Sequence, residues 1–332
     1  DDAWRTHRTV FGKSWEGTDV GDELQRSLSQ DRQLTYLQYR ASDLGGAIDE
    51  LVISASYHDQ WEEQYRVRSD GRVDIQGTDV GTTGLFGYAV FQTGIGTLTG
   101  GFEVYHDEVD SWRTDYNADG TLRAVAIQGP VADDATYTTS ALFLQDQFAL
   151  GERTDLTLGA RLTRSEADAN TVEDPVTGDP TSIADDWNAT TFSARFVHRL
   201  GSFDRAVVFG GVSQGFRAPN LSDLTRFDTA RSNEIETPVS GLDSEEFLSY
   251  EIGYKYAGDD WTMQVAAYYT DINDMIIRTP TGAVIDGDLE ITKRNGGDGY
   301  VQGVELQGRY RFADAWTVFG NIGWMDGEVD TY

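Results

Sequence analysis

A run of alternating oxygen-bearing side chains is the part of this sequence most like a site for chemistry. In Asp115-Tyr116-Asn117-Ala118-Asp119-Gly120, oxygen ligands stand at alternate positions before a glycine, as in the first half of a calcium-binding loop. The acid that closes such a loop is missing, because the twelfth position is Ala126. Asp115, Asn117 and Asp119 are therefore candidate calcium ligands, and a hairpin tip built on Asn and Asp-Gly explains the same residues.

Other residues that could do chemistry are not grouped. His7, His58, His106 and His198 are scattered, without the spacing of metal ligands, and the chain contains no Cys. It also lacks the G-x-S-x-G, H-E-x-x-H and P-loop motifs. The sequence therefore indicates no enzyme, although its many carboxylates leave an enzyme open as an alternative.

The formal net charge of -30 at pH 7 argues against nucleic acid as a partner, because a phosphate backbone would be repelled. Many of the acids lie in stretches with loop character, such as Asp243-Ser244-Glu245-Glu246. The favoured interpretation is a solvated acidic rim, and attraction of cationic ligands or divalent ions is the alternative.

The elements that must position these residues are strands. Along Phe247-Leu248-Ser249-Tyr250-Glu251-Ile252-Gly253-Tyr254-Lys255-Tyr256, Leu, Ile and Tyr occupy one face while Ser, Glu, Gly and Lys occupy the other. Such a strand needs an apolar medium on one side only. Similar alternation recurs near 156–163, 261–270 and 300–312. No run approaches the roughly 20 apolar residues of a spanning helix, which excludes a helical membrane protein.

About twelve candidate strands are joined alternately by short and long connections. The short connections lie at 149–153, 200–204, 257–260 and 313–315, and the long ones near 59–82, 111–136, 167–187, 218–246 and 278–298. This pattern predicts an all-β, up-and-down antiparallel transmembrane β-barrel with short periplasmic turns and long extracellular loops. Asp70-Gly71 and Asp119-Gly120 are predicted hairpin tips. Aromatic residues that flank two short turns predict half of an interfacial girdle: Tyr254, Tyr256, Trp261, Tyr310, Phe312 and Trp316.

One long stretch resembles a known family. Gln214-Gly215-Phe216-Arg217-Ala218-Pro219 ends an alternating strand, a long polar loop follows, and Tyr250-Glu251-Ile252-Gly253 lies on the returning strand. This order resembles the barrel of TonB-dependent outer-membrane receptors. Segments at 141–148, 156–161, 266–272 and 301–306 resemble other strands of that barrel, in the same order.

The resemblance implies an active transporter, not an enzyme, in the outer membrane of a Gram-negative-type bacterium. Such receptors bind a scarce small molecule or metal chelate in their loops and lumen, and a ferric siderophore is favoured here. The implied partners are outer-membrane lipid and the TonB complex, which acts through a plug domain. Arg217, Asn220 and Arg226 are candidate ligand-binding residues, with capping of the strand end and pairing with acidic loops as alternative roles. Members of that family that take haem tend to have a His in the loop after the motif ending at Pro219. No His lies between Arg217 and Tyr250, so the resemblance disfavours haem.

We assign residues 1–332 to the barrel, because no stretch has the character of a plug. Family barrels have about 22 strands, so about twelve are too few. We therefore expect an internal piece of a larger receptor, without the plug and several closing strands. The calcium candidate then lies in an extracellular loop. A passive porin, a soluble β-rich binding module and an outer-membrane enzyme are the alternatives.

Overall fold

A computed structural model describes residues 3–5, 23–201, 205–231, 234–285 and 287–330. His7 and the predicted turn residues 202–204 lie outside the described residues. Within them, one sheet contains every strand, and there is one short helix, α1 (Leu221–Thr225). The strands are β1 (Ala3–Arg5), β2 (Glu23–Ser42), β3 (Ile48–Arg68), β4 (Val73–Gln92), β5 (Thr97–Tyr116), β6 (Leu122–Val125), β7 (Asp133–Leu150), β8 (Thr154–Glu173), β9 (Pro180–Leu200), β10 (Ala206–Arg217), β11 (Asp228–Arg231), β12 (Glu234–Glu236), β13 (Glu245–Ala257), β14 (Trp261–Ile285), β15 (Asp288–Ala313) and β16 (Trp316–Val329).

The long strands follow one another in the sheet as they do in the chain. From β2 to β16 each long strand pairs antiparallel with the next, and the short β12 alone pairs parallel, with β15. The predicted fold class, about twelve strands of a larger all-β, up-and-down antiparallel transmembrane β-barrel, is confirmed. No helix in the described part of the chain is long and apolar enough to cross a membrane.

The register confirms the predicted alternation of faces. Tyr250, Ile252 and Tyr254 stand opposite Tyr269, Ala267 and Val265, so their side chains share one face. Ile252 is 59% exposed and Leu306 is 41% exposed, although both are large and apolar. These residues form an outward apolar band and no dry core between two layers.

Short turns link the strands at one end of the sheet. The turns after β7, β13 and β15 lie where they were predicted. Beside them the rings of Tyr256 and Trp261 stack with their centroids 4.1 Å apart, and Phe312 and Trp316 stack at 6.3 Å. Aromatic residues therefore cluster at this end, as the girdle prediction requires.

The opposite end, the far end of the sheet, differs from the prediction. Three of the predicted long loops are largely paired strands. β3 and β4 continue to a tip at 69–72, β8 and β9 to a tip at 174–179, and β14 continues to Ile285 with β15 beginning at Asp288. Gly71 has φ +84°, in keeping with the predicted Asp-Gly tip. The stretches had loop-like polarity because both faces of a strand become polar beyond the apolar band.

Candidate functional site

The chain between β10 and β13 folds back onto one face of the sheet at the far end. Its described residues, 218–231 and 234–244, form what we name the docked segment; they include α1, β11 and β12. Asn220 begins α1: its side-chain Oδ1 accepts from the Asp223 backbone N–H at 2.8 Å, and Asp223 Oδ2 accepts from the Asn220 N–H at 3.1 Å. Asn220, a predicted ligand residue, therefore caps this helix.

An apolar cluster fixes the docked segment against the long strands of the sheet, which we name the wall. Leu224 is completely buried, and Leu221 and Leu242 are 8% and 4% exposed. With them pack buried residues from β5 to β9, namely Val109, Ala132, Ala135, Ala167, Ala169, Val172 and Trp187. We name this cluster the docking core. It is the main dry core in the described part of the chain, and it lies outside the apolar band.

Buried polar side chains of the wall satisfy the backbone of the docked segment. Gln128 Nε2 donates to the Thr225 carbonyl at 2.7 Å, and Gln128 Oε1 accepts from the Glu173 N–H at 2.8 Å. Tyr137 donates to the Pro219 carbonyl at 3.0 Å, and Trp187 Nε1 donates to the Leu242 carbonyl at 2.7 Å. Since unpaired buried carbonyls are unfavourable, these contacts select one docked position.

Arg217 ends β10 and joins the docked segment to β13. It donates to both carboxylate oxygens of Glu245, from Nε at 2.6 Å and from Nη2 at 2.8 Å, and to Asp223 at 2.5 Å. Burial alone would raise the pKa of Asp223 and of Glu245, but hydrogen bonds from Arg217 outweigh it and lower both. Arg217 thus acts as a strand-end clamp on two carboxylates in this structure.

On the other side, β14 and β15 contribute two further cations. Lys293 lies 2.9 Å from Asp223 and 3.5 Å from Glu236, and Arg278 pairs with Glu234 at 3.1 Å and Glu236 at 2.9 Å. Glu234 and Glu236 are buried residues of β12. These ion pairs reinforce the parallel pairing of β12 with β15.

Asp228 connects the docked segment to the opposite part of the wall. Its carboxylate lies 3.3 Å from Arg66 on β3, 3.6 Å from Arg113 on β5 and 3.9 Å from Arg226. Burial opposes ionisation of Asp228, but attraction to Arg66, Arg113 and Arg226 prevails and its pKa is lowered. Because one segment contacts both β3 and β15, the sheet must curve, with this face concave.

All these ion pairs join into one charge network. Its described cations are Arg66, Arg68, Arg113, Arg217, Arg226, Arg278 and Lys293, and its carboxylates are Asp74, Asp115, Asp223, Asp228, Glu234, Glu236 and Glu245. The network is close to electrically neutral although the chain as a whole is strongly acidic. It gathers seven of the chain's 26 Lys and Arg residues at the concave far end, and ligand binding there stays a prediction.

The sequence indicated some of this site and missed the rest. Arg217, Asn220 and Arg226 do come together on or beside the docked segment, each with partners from the chain, and ligand binding by them stays a prediction. Arg66 and Arg113 were not singled out. The sequence could have indicated both, because the alternation of side chains along β3 and β5 places Arg66 and Arg113 on the concave face.

The calcium candidates lie at another hairpin, between β5 and β6. Asp115 accepts hydrogen bonds from Arg113 at 2.9 and 3.2 Å, Asn117 donates to Thr121, and Asp119 accepts from the Thr121 N–H at 3.0 Å. Gly120 has φ +81° at the tip. In the part of the chain that the structure describes, no group of three His, Cys, Asp or Glu side chains is arranged to hold a metal ion. The geometry is that of a hairpin tip, and calcium binding stays a prediction.

A family model described as "TonB dependent receptor-like, beta-barrel" matches residues 2–332 of this chain. Among curated proteins, the pesticin receptor of Yersinia enterocolitica is 34% identical over 93 residues, which cover 26% of this chain and 13% of that protein. The pesticin receptor of Yersinia pestis is 33% identical over the same length. The chain thus matches only a small part of these relatives.

Solved structures of low sequence identity share the fold. The copper transporter OprC superposes with a TM-score of 0.74 at 17% identity, covering 94% of this chain and 48% of that one. The ferric yersiniabactin uptake receptor FyuA from Yersinia pestis gives a TM-score of 0.61 at 17% identity, covering 95% of this chain and 44% of that one. This chain therefore spans about half the length of these structures.

Proposed function

Because this chain belongs to the TonB-dependent receptor β-barrel family, whose members are outer-membrane proteins, we propose that it takes up a scarce metal chelate with energy from the TonB complex. A ferric siderophore is the favoured cargo, and the TonB complex would act through a plug domain. The observation that carries the proposal is the charge network. It places Arg and Lys side chains on the concave face, at the end of the sheet that we assign to the cell exterior.

The names of similar proteins support a chelate as cargo. They include a ferric yersiniabactin uptake receptor, a ferric citrate transporter and a siderophore receptor, PiuA from Acinetobacter baumannii. Many chelates of ferric iron carry negative charge, which the acidic surface of this chain would repel. Because the charge network is close to neutral, an anionic ligand would meet less repulsion there than elsewhere on this acidic chain.

The outward apolar band supports lipid as the second partner. Large apolar side chains such as Ile252 and Leu306 are exposed in mid-strand, while Glu251 and Lys255 lie on the concave face. In water this band would be an aggregation surface, whereas hydrocarbon removes that penalty. The alternation therefore favours a membrane barrel over a soluble binding module.

Among the three predicted ligand residues, Arg226 is the best placed to bind cargo. Its ion pairs with Asp228 and Glu236 are long, at 3.9 and 3.8 Å, so its guanidinium loses little by exchanging partners. Arg217 is bound tightly to Glu245, and Asn220 is occupied as a helix cap. We propose that no covalent chemistry takes place at this site.

Uptake of radioactive iron tests the proposal. A strain that depends on this receptor and makes no siderophore of its own is supplied with a panel of ⁵⁵Fe chelates. We expect saturable uptake of at least one chelate, and complete loss of that uptake when the TonB complex is deleted. Uptake that persists without TonB would favour the passive porin, and absence of uptake for every chelate would contradict the proposal.

A further inference from the structure

Asp228 is attached to its arginine partners more loosely than any other carboxylate that anchors the docked segment. Its three partners lie 3.3, 3.6 and 3.9 Å away, whereas Arg66 reaches Asp74 at 2.8 Å and Arg217 reaches Glu245 at 2.6 Å. Charge-assisted hydrogen bonds ordinarily measure about 2.7–2.9 Å. Asp228 is nevertheless buried, with 5% exposure. A buried carboxylate is thus placed among three guanidinium groups without forming a close pair with them.

We propose that Arg66, Arg113 and Arg226 form a carboxylate-binding site that Asp228 occupies as an internal counter-ion, and that a carboxylate of the cargo replaces it. The inference rests on the proposed uptake function and adds the chemical class of the cargo: a chelate with a free or metal-bound carboxylate. It also assigns a specific competitor for that site within the chain.

The arginines remain oriented without Asp228, because each has a second partner. Arg66 donates through Nε to both oxygens of Asp74, Arg113 pairs with Asp115 at 2.9 Å, and Arg226 lies 3.8 Å from Glu236. Three separate elements therefore direct guanidinium groups at one point while the wall holds two of them in place. Preorganised donors of this kind reduce the entropy lost when a ligand binds.

Charge and geometry both favour exchange of one carboxylate for another. Without Asp228 the described network has seven cations and six carboxylates, so the vacated position attracts one negative charge. A carboxylate that is free to orient can form close bidentate contacts, which Asp228 does not form at 3.3, 3.6 and 3.9 Å. A neutral or cationic chelate gains nothing here, which makes the site selective.

Calorimetric titration of the full receptor in detergent with citrate, free of metal, tests the inference. Asp228→Asn removes the internal competitor with little change of shape. We expect this variant to bind citrate about tenfold more tightly than the wild type, because the site no longer has to be vacated first. Asp70→Asn is the matched control, since Asp70 pairs with Arg72 at the exposed tip of the β3–β4 hairpin. The control should leave citrate affinity unchanged.

Two further variants make the result decisive. Adding Arg113→Gln to Asp228→Asn should abolish the gain, and Asp228→Glu, which extends the competing carboxylate toward the arginines, should weaken citrate binding below that of the wild type. Unchanged or weaker binding by a folded Asp228→Asn receptor would overturn the inference. If that variant fails to fold, equal citrate affinity in Asp228→Glu and wild type overturns it instead.

The outcome is independent of the uptake assay. Tighter citrate binding by Asp228→Asn in a receptor that transports no chelate would support the carboxylate site and contradict the proposed function. TonB-dependent uptake together with unchanged citrate binding by Asp228→Asn would support the proposed function and contradict the carboxylate site.

Discussion

The outward apolar band and the docking core use the same strands in opposite ways. In the band, Ile252, Leu306 and Tyr250 remain 59%, 41% and 44% exposed, and strands are held mainly by their backbone ladders. In the docking core, Leu224, Trp187 and their neighbours are at most 8% exposed and interlock through side chains. The band thus depends on its surroundings for stability, whereas the docking core supplies its own interior.

This difference shows which property of a residue matters in each region. In the band, the polarity of a side chain determines whether a substitution is tolerated, because any apolar side chain is acceptable to an apolar medium. In the docking core and the charge network, the shape of a side chain and its polar partners determine whether a substitution is tolerated, because a missing atom there leaves a cavity or an unpaired group. The following predictions test that division.

The largest effect is expected from Trp187→Ala in the docking core. It removes a 7%-exposed indole and the donor to the Leu242 carbonyl, so docking should weaken by about 3–5 kcal/mol. Hydrogen exchange of the docked segment measures the loss. Trp261→Ala is the control, because this tryptophan is 42% exposed at the edge of the band; equal effects at the two sites would contradict the comparison.

Next is Ile252→Arg in the band, which should destabilise the receptor in lipid vesicles by about 2–4 kcal/mol, since it places a cation in hydrocarbon. Glu251→Arg, one residue earlier on the concave face, should change the unfolding free energy much less. Denaturant titration of both variants in the same vesicles makes the measurement. Similar destabilisation by the two would show that the band does not face lipid.

A graded loss is expected on acidification. The pKa values of Asp223, Asp228 and Glu245 are lowered in the folded state, so their ionised forms stabilise docking fully above the ordinary carboxyl pKa of about 4. That stabilisation disappears as pH falls through the lowered values, while the apolar band is unaffected. The fluorescence difference between wild type and Trp187→Phe follows undocking between pH 7 and pH 2. Undocking that begins near neutral pH would contradict the role of these carboxylates.

The smallest effect is expected at the β5–β6 tip, which belongs to neither region. Asp119→Asn should alter stability by less than about 0.5 kcal/mol, because Asp119 bonds only to nearby groups at an exposed turn in this structure. Calcium titration of the same pair of proteins tests the calcium prediction. Calcium binding by the wild type that the variant loses would establish a metal site instead of a simple tip.

Much of the fold was predictable because its signals are local. Alternation from Phe247 to Tyr256 assigns the faces of a strand from neighbouring residues alone, and the turn at 257–260 marks where that strand reverses. The same logic placed the aromatic residues beside the short turns. Beyond the band, polarity no longer distinguishes a loop from a two-sided polar strand. This is why 59–82 was counted as a long connection with a hairpin tip at Asp70-Gly71, although β3 and β4 stay paired almost to that tip.

The site was predictable only in outline. The sequence directed attention to Arg217, Asn220 and Arg226. The structural roles given there as alternatives, capping and pairing with acidic residues, are seen in the structure, and ligand binding stays a prediction. It did not indicate Arg66, whose partner Asp228 lies 162 residues away in the chain.

The sequence by itself therefore determined the strands of the apolar band and their faces, because a two-residue period and short turns are written in adjacent residues. The family was indicated separately, by the resemblance of the stretches around Arg217 and Glu251. Tertiary structure alone decided which cation meets which carboxylate and where the docked segment lies. The physical reason is that charges attract without regard to sequence position, so only the curvature that brings β3 and β15 to the same segment selects the partners of Asp228 and Lys293.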